Sequence, residues 1–282
     1  MKKQTKLNNL TCPYCGNRLT QDNISIEHVI GRRFVTKKSL ENQWNLILNA
    51  CKDCNNAKAD LEDDISSITL INKENQSYST EEKEYLRRKI NNSLSRRTGK
   101  KISESKEEIN ANFLGLNFKM SVGMICNPQI DFDRASLLAQ LQLMAFVYNI
   151  NYDNILKFGH HWTGEYKALF SSFESDWGNN IFLEFLTQTK DWNDYFFKLT
   201  AHDYYKCRIK QFYNKNCFSW IIEWNKSYRI IGFFGDKELY EPIINTIILK
   251  EDKGKCIKNT EEEKIYLRKE KRISNNQDLF FI

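Results

Sequence analysis

Two cysteine pairs, Cys12-Pro13-Tyr14-Cys15 and Cys51-Lys52-Asp53-Cys54, constrain this chain more than any other feature. Each C-x2-C knuckle can present two thiolates to one metal, and Cys12, Cys15, Cys51 and Cys54 together make the donor set of a structural Zn2+. The competing use of cysteine, a disulfide framework, is the weaker reading. The N-terminus is basic with no apolar run behind its lysines, and 282 residues bury a core without bridges. No stretch approaches the ~18 apolar residues of a membrane span, so the expectation is a cytoplasmic protein without a membrane partner. Cys126, Cys207, Cys217 and Cys256 stand singly, and Cys207 and Cys217 fall in strand-like apolar runs where cysteine acts as a small hydrophobe. A content of 41% hydrophobic and 28% charged residues with only 3 prolines fits an ordered globular chain. The net charge of +6 permits a polyanionic partner without requiring one.

Between the knuckles lies Ile24-Ser25-Ile26-Glu27-His28-Val29-Ile30, followed by Gly31-Arg32-Arg33. An acid beside a histidine on a β-like run suggests chemistry. Strand alternation sends the two to opposite faces, but at a strand end or bulge both can reach one site. Further on come Trp44-Asn45-Leu46 and, directly after the second knuckle, Asn55-Asn56-Ala57-Lys58. These add amide oxygens to the possible ligands of a hard cation.

Taken together, CPYCG, IEHVIGRRF and NLILNACKDCNNAKAD resemble the HNH endonuclease family in its zinc-knuckle form, the ββα-metal finger; the likeness covers residues 8 to 66. The resemblance implies that His28 is the general base and that Glu27 and Asn55 ligate a catalytic divalent ion, Mg2+ or Mn2+. It also implies that Asn45 is the middle motif residue, orienting the histidine or its loop, with Asn49 and then Asn42 as the alternatives. Lys58 is placed to meet a phosphate. Glu27 and Gly31 replace the family's frequent Asp and Pro, and Asn55 makes this an H-N-N variant. Phosphodiester hydrolysis needs a water-derived nucleophile and a counter-charge for the phosphoryl oxygens, and a neutral imidazole supplies the first near pH 7.

Arg32, Arg33, Lys37 and Lys38 follow His28 closely and are expected to grip the backbone of double-stranded DNA. The run Asp60 to Asp64 reads as the start or cap of a further short segment. A capping box at Ser79 to Glu82 opens a helix carrying Arg87, Arg88 and Lys89, then Arg96 and Arg97, up to Gly99. Arg87 and Arg88 join the DNA-contacting set. A second helix starts at Arg134, one or two more fall between Trp162 and Leu199, and strands at 204–212, 217–224 and 228–234 form a meander. The apolar terminus Leu279 to Ile282 docks on the body or awaits a partner.

The expected fold is therefore α+β: an N-terminal ββα-metal (HNH) finger with a structural zinc, then a mainly helical segment and a small antiparallel sheet. Its divisions are a finger at 1–66, a basic helical connector at 67–125 and an α+β recognition or partner domain at 126–282. The expected function is a DNA endonuclease, by resemblance an anti-phage defence or restriction effector, with a homodimer or a protein partner needed for a double-strand break or for regulation. The rival readings are a catalytically silent zinc-finger nucleic-acid binder and a nuclease subunit active only with a sensor or ATPase partner.

Overall fold

A computed structural model describes residues 4–71, 80–105, 107–115, 118–126, 130–162, 164–259, 264–274 and 276–282. At the N-terminal end β1 (Thr5–Lys6), β2 (Ile24–His28) and β3 (Leu46–Cys51) form a sheet ordered β1-β3-β2, with β3 parallel to β1 and antiparallel to β2. The central strand, β3, is apolar at nearly every position because both its faces are covered. It runs straight into helix α1 (Lys52–Ile71). The acidic stretch Asp60 to Asp64 does not open a new segment: it lies mid-helix, where Arg134 takes Asp60 at 3.1 Å and Asp64 at 2.9 Å.

Helix α2 (Thr80–Asn92) ends well before Gly99. Asn91-Asn92-Ser93 disfavours helix, and Ser93 instead donates its hydroxyl to Asp63 at 3.1 Å. Arg96 and Arg97 consequently sit in a turn closed by the Leu94 and Lys101 bridge, with Gly99 left-handed at φ +69°. Ser79, the first residue of the expected capping box, lies outside the described residues. The expected helical connector also holds a hairpin, β4 (Glu107–Gly115) and β5 (Phe118–Cys126), in register from Glu107 opposite Cys126. Its polar-apolar alternation is a strand period rather than a helical one.

Helix α3 (Phe132–Ile150) starts where Asp131 accepts the Arg134 backbone N–H at 3.0 Å. Beyond it come β6 (Tyr166–Phe173), α4 (Asn180–Thr189), β7 (Asn193–Thr200), β8 (Tyr205–Gln211), β9 (Cys217–Trp224) and β10 (Tyr228–Gly235). Thus the stretch from Trp162 to Leu199 yields one helix and two strands. The three expected strands are β8, β9 and β10, the middle of a sheet ordered β6-β10-β9-β8-β7. Helix α5 (Lys237–Ile248) and the hairpin β11 (Lys255–Asn259) and β12 (Lys264–Leu267) follow.

Every residue of β9 is buried because helices cover both faces of the sheet. Phe218, Trp220, Ile222 and Trp224 face α3, while Cys217 and Ile221 face α4 and α5. Cys207 and Cys217 are both buried, as their apolar runs predict. The N-terminal sheet and its loops share their core with the rest of the chain: Val29, Phe34 and Trp44 belong to one cluster with Phe146 of α3 and Trp224 of β9. Phe34 meets Trp224 edge-on at 5.7 Å, and Asn225 donates to the Phe34 carbonyl at 3.0 Å. No helix among the described residues is long and apolar enough to cross a membrane.

The C-terminal residues dock on the α4–α5 side of the sheet. Arg229 of β10, 1% exposed, binds Glu223 at 2.8 Å, pairs with Asp278 and lies 3.6 Å over the Trp177 ring, with Phe280 and Phe281 beside it. Removing one partner of a buried ion pair leaves the other uncompensated. Arg229→Met is therefore expected to cost about 3–5 kcal/mol in urea unfolding and to make residues 276–282 sensitive to limited proteolysis. A variant with unchanged midpoint and protease pattern would show that Arg229 does not clamp this segment.

Candidate active site and metal centre

The first knuckle is a tight turn. Cys12 N–H donates to the Asn17 carbonyl at 2.8 Å, Gly16 N–H donates back to Cys12 at 2.9 Å, and Gly16 takes the left-handed φ of +73° that the reversal requires. Helix α3 and its following loop brace it through Tyr148, 2.9 Å from Thr11 Oγ1, and His161, whose Nδ1 lies 3.0 Å from the Pro13 carbonyl. In the second knuckle Cys51 ends β3 and Cys54 sits in the first turn of α1. The four sulfurs lie within 4.8 Å of one another. A zinc tetrahedron with Zn–S near 2.3 Å has edges of roughly 3.8 Å, and Cys15 Sγ is 3.8 Å from Cys51 Sγ. These residues fit a structural zinc.

Tyr14, inside the first knuckle, reaches from the metal centre toward β2. Its hydroxyl donates to Glu27 Oε1 at 3.1 Å. Burial and the Glu27 carboxylate hold Tyr14 far above its usual ionisation range, so it remains a donor. Glu27 points inward, as alternation from the half-exposed His28 demands, and is 3% exposed. Lys58 Nζ lies 2.8 Å from Glu27, 2.6 Å from Glu62 and 3.4 Å from the His28 carbonyl. Burial works to lower Lys58, but Glu62 and Glu27 hold it up to about 12, keeping it an ammonium. Burial likewise raises the Glu62 carboxyl, against the pull of Lys58. Glu62 also accepts the Gly31 N–H at 3.3 Å. A Cβ at residue 31 would come 2.2 Å from Glu62 Oε2, so a side chain there would require the Glu62 carboxylate to shift.

Lys58 thus turns inward, away from any phosphate on the surface. Glu27 and Asn55 have different partners. Glu27 is engaged by an ammonium and a phenol, whereas Asn55 Nδ2 donates to Ser25 Oγ at 3.1 Å, nearer the start of β2. The pair does not fit one hard divalent ion in this arrangement. Among the described residues, Cys12, Cys15, Cys51 and Cys54 are the cluster of three or more His, Cys, Asp or Glu within ligand reach of one another.

No family model, curated protein or solved structure matches this chain.

His28 closes β2 and faces out. Its Nε2 accepts from Arg32 Nε at 3.1 Å with Arg32 Nη2 at 2.9 Å, which puts the ring proton on Nδ1. Partial burial, then the Arg32 charge, lower the His28 pKa, so the ring is neutral near pH 7. Asn45, buried, accepts the Ile30 N–H at 3.3 Å and donates to the Ile30 carbonyl at 2.9 Å, pinning the loop two residues after His28. Asn49 is occupied elsewhere: it takes three hydrogen bonds with Asn9, at 2.8, 3.2 and 2.7 Å. His28 and Asn45 line an open groove of about 560 Å³ together with Arg32, Arg33, Lys37, Lys38, Glu41 and Asn42. Arg87 and Arg88 are on the exposed side of α2, Arg88 in an ion pair with Glu84 at 3.1 Å. Sequence reasoning did not single out Tyr14, Glu62 or Tyr85. Of these, only Glu62 carried a signal, four residues after Lys58 on one helix face.

Proposed function

We propose that this chain is an HNH-type endonuclease that hydrolyses phosphodiester bonds in DNA, with His28 as general base in a zinc-braced ββα unit. The observation that carries the reading is the groove itself: a neutral histidine and four basic residues, Arg32, Arg33, Lys37 and Lys38, share one open surface. A phosphodiester brought there meets several positive charges that offset charge developing on its oxygens. Arg32 holds the His28 Nε2 lone pair, and a guanidinium prefers a phosphate to a neutral imidazole. Substrate therefore draws Arg32 onto the phosphate and frees Nε2 to take a proton from water. Asn45, through both backbone groups of Ile30, keeps the loop between His28 and Arg32 in place for that exchange. No step is assigned to a hard divalent ion, because Glu27 is committed to Lys58 and Tyr14.

The capped Nε2 is also the observation that favours a second reading, a finger that binds DNA without cutting it. Incubating zinc-loaded protein with supercoiled plasmid, with and without Mg2+ or Mn2+, separates the two. Nicking or linearisation is expected from the wild type, reduced about 10²–10⁴-fold in His28→Ala. Binding without cleavage by the folded wild type would select the second reading, unless co-expression with a partner restored activity.

A further inference from the structure

Behind the His28 groove lies a second cavity of about 450 Å³, and the two share Arg33 and Tyr85 as a common wall. The chemistry changes across that wall. The groove carries four basic side chains and one acid, Glu41, whereas the second cavity sets the Tyr85 ring among Glu62, Asp63 and Asn92 with the cations Arg88 and Lys89. A carboxylate and an amide set beside cations can meet the N–H donors of a nucleobase edge while the cations meet its phosphate. The Tyr85 ring offers a base the stacking that it loses on leaving a helix. The volume is that of a small-ligand site and not of a paired, stacked duplex.

The wall is anchored to the groove. Tyr85 donates its hydroxyl to the Arg33 carbonyl at 3.4 Å, and Lys89 donates to that same carbonyl and to Ser66 Oγ. Helix α2 and the phosphate-facing loop are therefore held together at Arg33, so a nucleotide in the second cavity keeps a fixed offset from a phosphate beside His28.

We propose that this cavity receives one unpaired nucleotide of DNA next to the scissile phosphate, its base stacked on Tyr85 and its edge read by Asp63 and Asn92. The proposal rests on the reading of the His28 groove as the nuclease centre. It makes the preferred substrate a duplex with an unpaired or easily extruded nucleotide rather than a fully paired one.

The test is binding, measured by fluorescence anisotropy on full-length, zinc-loaded His28→Ala protein, so that cleavage plays no part. The probes are one duplex fully paired and the same duplex with a single extra unpaired nucleotide. The second is expected to bind about fivefold or more tightly, the scale of one base stacked on an aromatic side chain. Tyr85→Ala and Asn92→Ala, both at solvent-accessible positions, should bring the ratio of the two affinities toward one, and Tyr85→Phe should preserve it. Equal affinity for both duplexes, a preference untouched by Tyr85→Ala and Asn92→Ala, or no DNA binding at all would overturn the proposal. If the preference holds but wild type cuts no plasmid, the pocket stands and the nuclease reading fails. If wild type cuts while the ratio is one, the reverse holds.

Discussion

Stripping the metal from Cys12, Cys15, Cys51 and Cys54 is expected to unfold the N-terminal third of the chain and to weaken the rest. Structural zinc contributes apparent free energies of roughly 10–16 kcal/mol in small zinc-binding peptides, comparable with the whole stability of a typical domain at about 5–15 kcal/mol. Four thiolates left within 4.8 Å of one another would also repel, so the apo knuckles open or protonate. Opening does not stay local. The turn at Cys12 to Gly16 packs on His161, Tyr14 anchors Glu27, and Phe34 and Trp44 contribute to the core that includes Phe146 and Trp224. Metal analysis of purified protein should find a single zinc per chain, and a strong chelator should lower the thermal midpoint sharply and cooperatively. Cys51→Ser should reproduce this without chelator, since Cys51 joins β3 to α1. A metal-free protein with an unchanged midpoint would remove the zinc assignment. A lowered finger signal with an intact far-UV spectrum from the β6–β10 sheet would show instead that the shared core is not cooperative.

The knuckles were legible because C-x2-C spacing is a local property that survives any tertiary arrangement, and the middle strands β8 to β10 were legible because their apolar runs are separated by short polar turns. The strands at the sheet edges were not. β6 carries Ala168-Leu169-Phe170-Ser171-Ser172 without alternation, and β7 mixes Asp194 and Lys198 among aromatics, so neither shows the period of a half-buried strand. At the site, sequence order put His28 near Asn45 and the basic run, and in the structure His28, Asn45, Arg32, Arg33, Lys37 and Lys38 line one groove. It misled on direction for Lys58 and Glu27. Which way a side chain on α1 points depends on the phase of that helix against β2, and the phase is set where β3 runs into α1 without a linker. With α1 starting at Lys52, Lys58 and Glu62 stack one turn apart on the face turned to Glu27, and the expected phosphate contact becomes an internal ion pair.

That inward turn makes Lys58 the second position of large effect. Lys58→Met keeps the approximate volume of the side chain and removes its charge, leaving Glu27 and Glu62 buried and facing one another without a cation. Loss of one partner from a buried charge network costs about 3–5 kcal/mol, and here two carboxylates are stranded by a single substitution. The damage should reach the groove, because Lys58 also donates to the His28 carbonyl at 3.4 Å and Glu62 holds the Gly31 N–H at 3.3 Å. A double-mutant cycle separates packing from charge. Lys58→Met with Glu62→Gln removes one of the two stranded carboxylates and should recover part of the loss, whereas Glu62→Gln alone, which leaves Lys58 paired with Glu27, should be mild. Urea midpoints for the four proteins test this directly: additive losses across the cycle would mean that Lys58 and Glu62 act independently. A surface lysine reaching for phosphate predicts the opposite pattern, namely unchanged stability with weakened DNA binding in Lys58→Met. Binding and stability measured on the same variant therefore decide whether this lysine holds the fold behind the histidine or the substrate in front of it.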